Sequence, residues 1–284
     1  MKAMPQESGE SSIELSAADG LRLHVRRWLT TESSRAVVIV VHGIVEHSGR
    51  YADMAAALNQ AGMNVWAPDN RGHGRSAGSR VWVDRFDRYA EDLSIVIAEA
   101  RASHPNLPLF LFGHSMGSLI VLRTASLLDD KPAGTILSAP PISVADGLFP
   151  WLRSLAVFGS RCFPWLRLVR MGGKRLSRDP NVVSDFRSDP LVFHGRIPTR
   201  TGAEVLRVGE DVGQRASQIT QPLLVLQGTA DAVVSASATE EFYQATGSGD
   251  KTIRLYPGLY HDLPREPEKE EICREITSWI TQRC

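Results

Sequence analysis

Residues 109–117 constrain this chain more than any other stretch, because an apolar run, Leu109 to Phe112, leads straight into Gly113-His114-Ser115-Met116-Gly117. The apolar residues that follow have helical spacing, so the G-x-S-x-G pattern sits between a strand and a helix. In that context the serine occupies a tight, strained turn that lifts its hydroxyl above the sheet, and the flanking glycines let backbones approach closely. Ser115 is read as a nucleophile, the plainer alternative being a glycine-rich turn that only packs.

A serine hydroxyl is a weak nucleophile until a base takes its proton, and the base needs an acid to fix its tautomer. Behind such an elbow the chain order is Ser, then Asp or Glu, then His, each in a loop at the C-terminal end of a strand. The run from Leu223 to Gln227 leads into Asp231, and Thr252 to Tyr256 leads into His261. His114 lies inside the elbow and points away from the nucleophile, while His73, His104 and His194 follow no matching strand after the acid. Asp262 adjoins the base too closely to face its ring, and Asp211 belongs to an inserted segment. The expected triad is Ser115, Asp231 and His261.

The rest of the chain repeats one alternation. A hairpin opens it, with Leu21, Leu23 and Val25 alternating with polar residues. Continuous apolar runs such as 37–41 then suit parallel strands covered on both faces. Strands at 37–41, 64–67, 109–112, 134–138, 223–227 and 252–256 alternate with helices near 51–61, 86–103, from 115, 236–246 and from 268. This predicts an α/β-hydrolase fold: a doubly wound, mostly parallel sheet with an inserted cap. The core spans 1–140 and 216–284, and the cap 141–215.

Composition narrows the function. Lys plus Arg and Asp plus Glu are each 32, so no overall field draws the chain to nucleic acid. The first residues are polar and no stretch of about 18 apolar residues occurs, which argues against export or membrane spanning. Cys162, Cys273 and Cys284, odd in number and scattered, fit a reducing, cytoplasmic setting better than disulfides. His42, Glu46 and His47 lack metal-ligand spacing, and Arg71 to Ser76 lacks the spacing of a phosphate cradle, so neither metal nor cofactor is expected. The loop after strand 37–41 should supply half of an oxyanion hole. There the backbone N–H of Ile44 joins that of Met116, each donor contributing roughly 3 kcal/mol in the transition state. His42 is expected to brace that loop.

With these residues in place, the chain resembles the monoacylglycerol lipase and lysophospholipase family of α/β-hydrolases. The matching stretches are His42 to Tyr51, Asp69 to Ser76, Gly113 to Gly117, Ser188 to Leu191, Gln227 to Asp231 and Tyr256 to His261. The block from Glu46 to Tyr51 discriminates best, and Ser118 departs from the glycine usual after the elbow. The resemblance implies hydrolysis of a monoacylglycerol to fatty acid and glycerol, with the glycerol end near Glu46 and Arg50 and the acyl chain under a cap that touches membrane. For Glu46 and Arg50 a solvated salt bridge is the other reading, and Asp189-Pro190 is a turn from cap to core or more. Alternative functions are a lysophospholipase, a broad carboxylesterase, an acyltransferase on the same triad, and a non-catalytic binding protein, which the intact triad disfavours.

Within the cap, residues 147–178 hold no acidic residue. Arg153, Arg161, Arg167, Arg170, Lys174, Arg175 and Arg178 alternate with Leu148, Phe149, Trp151, Leu155, Phe158, Phe163, Trp165 and Leu168. That pattern suits transient contact with an anionic membrane surface, or else the wall of an acyl tunnel.

Overall fold

The computed structural model describes residues 9–30, 33–143 and 162–284. The continuous apolar runs form strands, as their lack of a polar face requires. In β3 (Ala36–Val41), Val37, Ile39 and Val41 enter one core while Val38 and Val40 enter another across the sheet. The same division holds in β5 (Leu109–His114) and β9 (Leu223–Gly228). Side chains two apart share a face, so a strand covered on both sides needs apolar residues throughout. Each buried aliphatic side chain contributes about 1.5–3 kcal/mol relative to exposure.

The remaining strands are β1 (Gly9–Ser16), β2 (Arg22–Leu29), β4 (Met63–Pro68), β6 (Gly134–Ser138) and β10 (Lys251–Tyr256). Their order in the sheet is β1-β2-β4-β3-β5-β6-β9-β10. The hairpin β1–β2 and the pair β2–β4 are antiparallel, and the other pairs parallel. Helices α1 (Ala52–Gln60) and, at the C-terminus, Lys269–Thr281 cover one face. Helices α2 (Asp87–Ser103) and α3 (Met116–Leu127) cover the other. The architecture is that of an α/β-hydrolase.

Between β6 and β9 the described residues add a two-stranded ribbon, β7 (Arg167–Val169) with β8 (Ile197–Pro198), and the helix α4 (Pro180–Ser188), capped by Asp179. Next comes α5 (Thr199–Gln214). Its Val208 and Val212 lie in the same core as α3, and its Thr201 and Glu204 side chains accept from the backbone N–H groups of Val83 and Phe86. Helix α5 thus packs on the core that it shares with α3, within the segment 141–215 read as the cap. Two more helices, α6 (Ala236–Ala245) and α7 (Lys269–Thr281), complete the chain. Among the cap residues singled out from sequence, Leu148, Phe149, Trp151, Arg153, Leu155, Phe158 and Arg161 lie outside the described residues. No described helix is long and apolar enough to cross a membrane.

Candidate active site

The elbow forms where β5 ends and α3 begins. Ser115 has φ 51° and ψ −123°, a conformation that non-glycine residues avoid, and it is held there by neighbours on all sides. Its N–H donates to the Ser138 carbonyl at 2.8 Å, and the Ser118 hydroxyl donates to the Gly113 carbonyl at 2.7 Å. The glycines are required by contact. A Cβ on Gly113 would lie 2.5 Å from the Gly117 oxygen, and one on Gly117 would lie 2.1 Å from the Val41 oxygen.

Asp231 and His261 meet in buried surroundings. His261 Nδ1 donates to Asp231 Oδ2 at 2.8 Å, which leaves Nε2 bare for proton transfer. The other carboxylate oxygen accepts from the N–H groups of Val233 and Val234 at 2.7 and 3.0 Å. Gln227 Nε2 donates to Oδ2 at 3.1 Å, and its own oxygen accepts from the Thr239 hydroxyl. The two loops are stitched together, since Ala230 N–H donates to the Leu259 carbonyl and Gly258 N–H to the Thr229 hydroxyl. Burial alone would raise the Asp231 carboxyl and lower the His261 imidazole, but their mutual attraction wins in both, so Asp231 lies below and His261 above its ordinary range.

The loop after β3 lies against the nucleophile, and a Cβ on Gly43 would come within 3.3 Å of Ser115 Cβ. His42 donates through Nδ1 to the Gly43 carbonyl at 2.7 Å and accepts the Asn70 N–H at Nε2, 2.9 Å away. Burial keeps this ring neutral, which its two opposite roles require. Met116 opens α3, so its N–H belongs to the unpaired first turn of the helix. Among the described residues neither it nor the Ile44 N–H donates to a protein acceptor.

Glu46 and Arg50 do not form the solvated salt bridge considered above, because both side chains are only 6% exposed. Glu46 Oε1 accepts from Gly43 N–H at 2.7 Å and the Tyr51 hydroxyl at 2.8 Å. Its Oε2 accepts from Arg265 at 2.6 Å and Arg50 Nε at 3.3 Å. Burial would raise this carboxyl, but Arg265, His114 and Arg50 hold it well below the usual carboxylate range. Arg50 keeps Nη2 without a hydrogen bond, 3.7 Å from Asp262, and its guanidinium lies over Phe186 of α4. Asp262 accepts from Arg265 at 2.8 Å. Asp211 pairs with Arg215 on α5.

Three further histidines near the site have partners of their own. His114 lies with its ring 4.9 Å from that of His261 and tilted 54° to it, shares a hydrogen bond with the Ser138 hydroxyl, and is pushed down by burial to about 4. His73 donates to the Arg71 carbonyl, and burial pushes it down to about 3. His47 meets Asp189 at 2.8 Å, so Asp189 ties the loop after β3 to the end of α4 as well as forming a turn. The glycine loop at 71–76 is filled by the Asp69 carboxylate, which accepts from Ser48 and the Arg75 N–H. No group of three among the described residues is placed to hold a metal ion.

A family model described as "Serine aminopeptidase, S33" matches residues 32–268. The monoacylglycerol lipase of Mycolicibacterium smegmatis is 33% identical over 96% of this chain and 98% of its own. The Homo sapiens monoglyceride lipase is 33% identical over 94% and 89%. The solved Paleococcus ferrophilus monoacylglycerol lipase superposes with a TM-score of 0.83 at 33% identity, covering 92% of this chain and 99% of that one.

Proposed function

The chain belongs to the monoacylglycerol lipase family of α/β-hydrolases, and from that membership we propose that it cleaves monoacylglycerols to fatty acid and glycerol through an acyl-enzyme on Ser115. The observation that supports this reading is the buried 2.8 Å pairing of Asp231 with His261 Nδ1, which leaves Nε2 to act as the base. As Ser115 Oγ bonds to the ester carbon, its proton passes to His261 Nε2, and the imidazolium is stabilised by Asp231. The carbonyl oxygen gains negative charge between the N–H groups of Ile44 and Met116. When the ester C–O bond breaks, His261 returns the proton to the departing glycerol oxygen. Water repeats the sequence and releases the fatty acid.

Both oxygens of Glu46 are committed, so within this reading head-group recognition falls to Arg50, whose Nη2 is ion-paired with Asp262 at 3.7 Å but makes no hydrogen bond. Arg50→Ala is expected to impair monoacylglycerol turnover more than that of an ethyl ester with the same acyl chain. Equal losses would assign Arg50 to the buried network alone. Membrane contact is supported by Phe163, Trp165, Leu166 and Val169, each more than half exposed, beside exposed Arg167 and Arg170. A reducing, cytoplasmic setting is supported by the three free cysteines.

The test is turnover of monoacylglycerol, diacylglycerol, lysophosphatidylcholine, a p-nitrophenyl ester and an aminoacyl p-nitroanilide, matched in chain length where they carry acyl chains. Monoacylglycerol should give the highest kcat/KM. A preference for lysophosphatidylcholine or for the anilide would replace the lipase reading with a lysophospholipase or a peptidase.

A further inference from the structure

Gly43 is pinned at both ends. Its N–H donates to Glu46 Oε1 at 2.7 Å, and its carbonyl accepts from His42 Nδ1 at 2.7 Å. That carbonyl and the Ile44 N–H belong to one planar trans peptide and point in opposite directions, so fixing the first aims the second. A Cβ on Gly43 would lie 3.0 Å from Glu46 Oε1 and 3.3 Å from Ser115 Cβ, which wedges this backbone between the carboxylate and the nucleophile.

The carboxylate is itself held from the other side of the site. Arg265, four residues beyond His261, donates through Nη2 to Glu46 at 2.6 Å, through Nη1 to the Arg50 carbonyl at 2.7 Å and through Nε to Asp262 at 2.8 Å. One guanidinium therefore grips both the loop after β3 and the loop that carries the histidine. Buried ion pairs are a poor route to stability, since apolar replacements often do as well. Their distinctive effect is rigidity, and donors aimed at developing charge act only if they are already in place.

We propose that Glu46 is a positioning residue, which together with Arg265 aims the Gly43-Ile44 peptide at the carbonyl oxygen of an ester bound at Ser115. This rests on the oxyanion role proposed above for Ile44. Glu46 touches no reacting atom; it acts through the backbone.

The experiment compares wild type with Glu46→Gln and Arg265→Lys. Active sites are counted with a fluorophosphonate, kcat and KM are measured on a soluble short-chain ester, and affinity is measured for an alkylboronic acid, whose tetrahedral serine adduct places an oxygen where the oxyanion forms. Both variants should lose about 10- to 100-fold in kcat per titrated site and a similar factor in boronate affinity, with KM changed less than about threefold. A purely structural role predicts lower Tm and fewer titrated sites, with each surviving site at full rate. If Glu46→Gln does not fold, Arg265→Lys, which keeps the charge but not the three-way grip, decides alone. Folded variants with kcat per site and boronate affinity within about twofold of wild type overturn the proposal. A wild type that neither takes the fluorophosphonate nor binds the boronate overturns the hydrolase reading, and this inference falls with it.

Discussion

His261 can serve as a base only while Nε2 is bare and the ring is held in one tautomer, and Asp231 secures both conditions at 2.8 Å. The imidazole is raised above its ordinary value near 6.5, burial opposing the shift and Asp231 driving it. Activity should therefore rise with pH along a limb of kcat/KM whose midpoint lies above that value, as the ring loses its proton. Asp231→Asn should cut kcat by about 10⁴-fold, and the residual limb should move to lower pH, because burial then acts without the compensating anion. A profile flat from pH 5 to 9 in a stable wild type would contradict base catalysis by this residue. The raised pKa has a stability consequence too. Its contribution is full below the unfolded value and is lost as pH rises through the folded one, so Asp231→Asn should narrow the stability gap from wild type toward alkaline pH. The strained turn at Ser115 and the pairing of Asp231 with His261 were legible because a local motif and the order of strand ends point to them. Gln227, Arg265 and Asp262 were not, since their roles depend on which loops meet across the sheet. For Glu46 a substrate role and a loop salt bridge both stood open, because sequence does not reveal that four donors surround its carboxylate.

At the level of elements, the strands were readable because β3, β5 and β9 must be apolar on both faces. The end of the insertion was harder to read, because α5 has an amphipathic pattern that would suit a cap helix as well as a core helix. Its packing makes a prediction. Val208→Ala should lower a single cooperative unfolding transition by about 2 kcal/mol, counting lost methylenes and a residual cavity. A separate early transition would instead place α5 with the insertion. The ribbon before it makes another. Trp165 stacks on Trp82 with centroids 3.6 Å apart, yet remains 60% exposed beside Phe163, Leu166 and Val169. Replacing Arg167 and Arg170 with glutamine should weaken binding to anionic vesicles by roughly 1 kcal/mol per residue at low salt. It should also slow hydrolysis of vesicle-borne monoacylglycerol, while turnover of a soluble short-chain ester stays nearly unchanged. Wild type that ignores anionic vesicles even at low salt would make this surface a tunnel wall and nothing more.

Across the whole molecule, the sheet brings the post-strand loops of β3, β5, β9 and β10 to one edge, which carries Ile44, Ser115, Asp231 and His261. The charge balance of 32 against 32 leaves no protein-wide field, so any attraction to a lipid surface is local and should fade as salt is raised. The central claim is that this edge hydrolyses a monoacylglycerol by attack of Ser115. It is tested most directly by fatty acid release from monoacylglycerol, measured side by side for wild type and folded Ser115→Ala. The account predicts fatty acid and glycerol in equal amounts from wild type, and a rate lower by several orders of magnitude, roughly 10³-fold or more, in the variant. A Ser115→Ala protein that releases fatty acid at near the wild-type rate would contradict it.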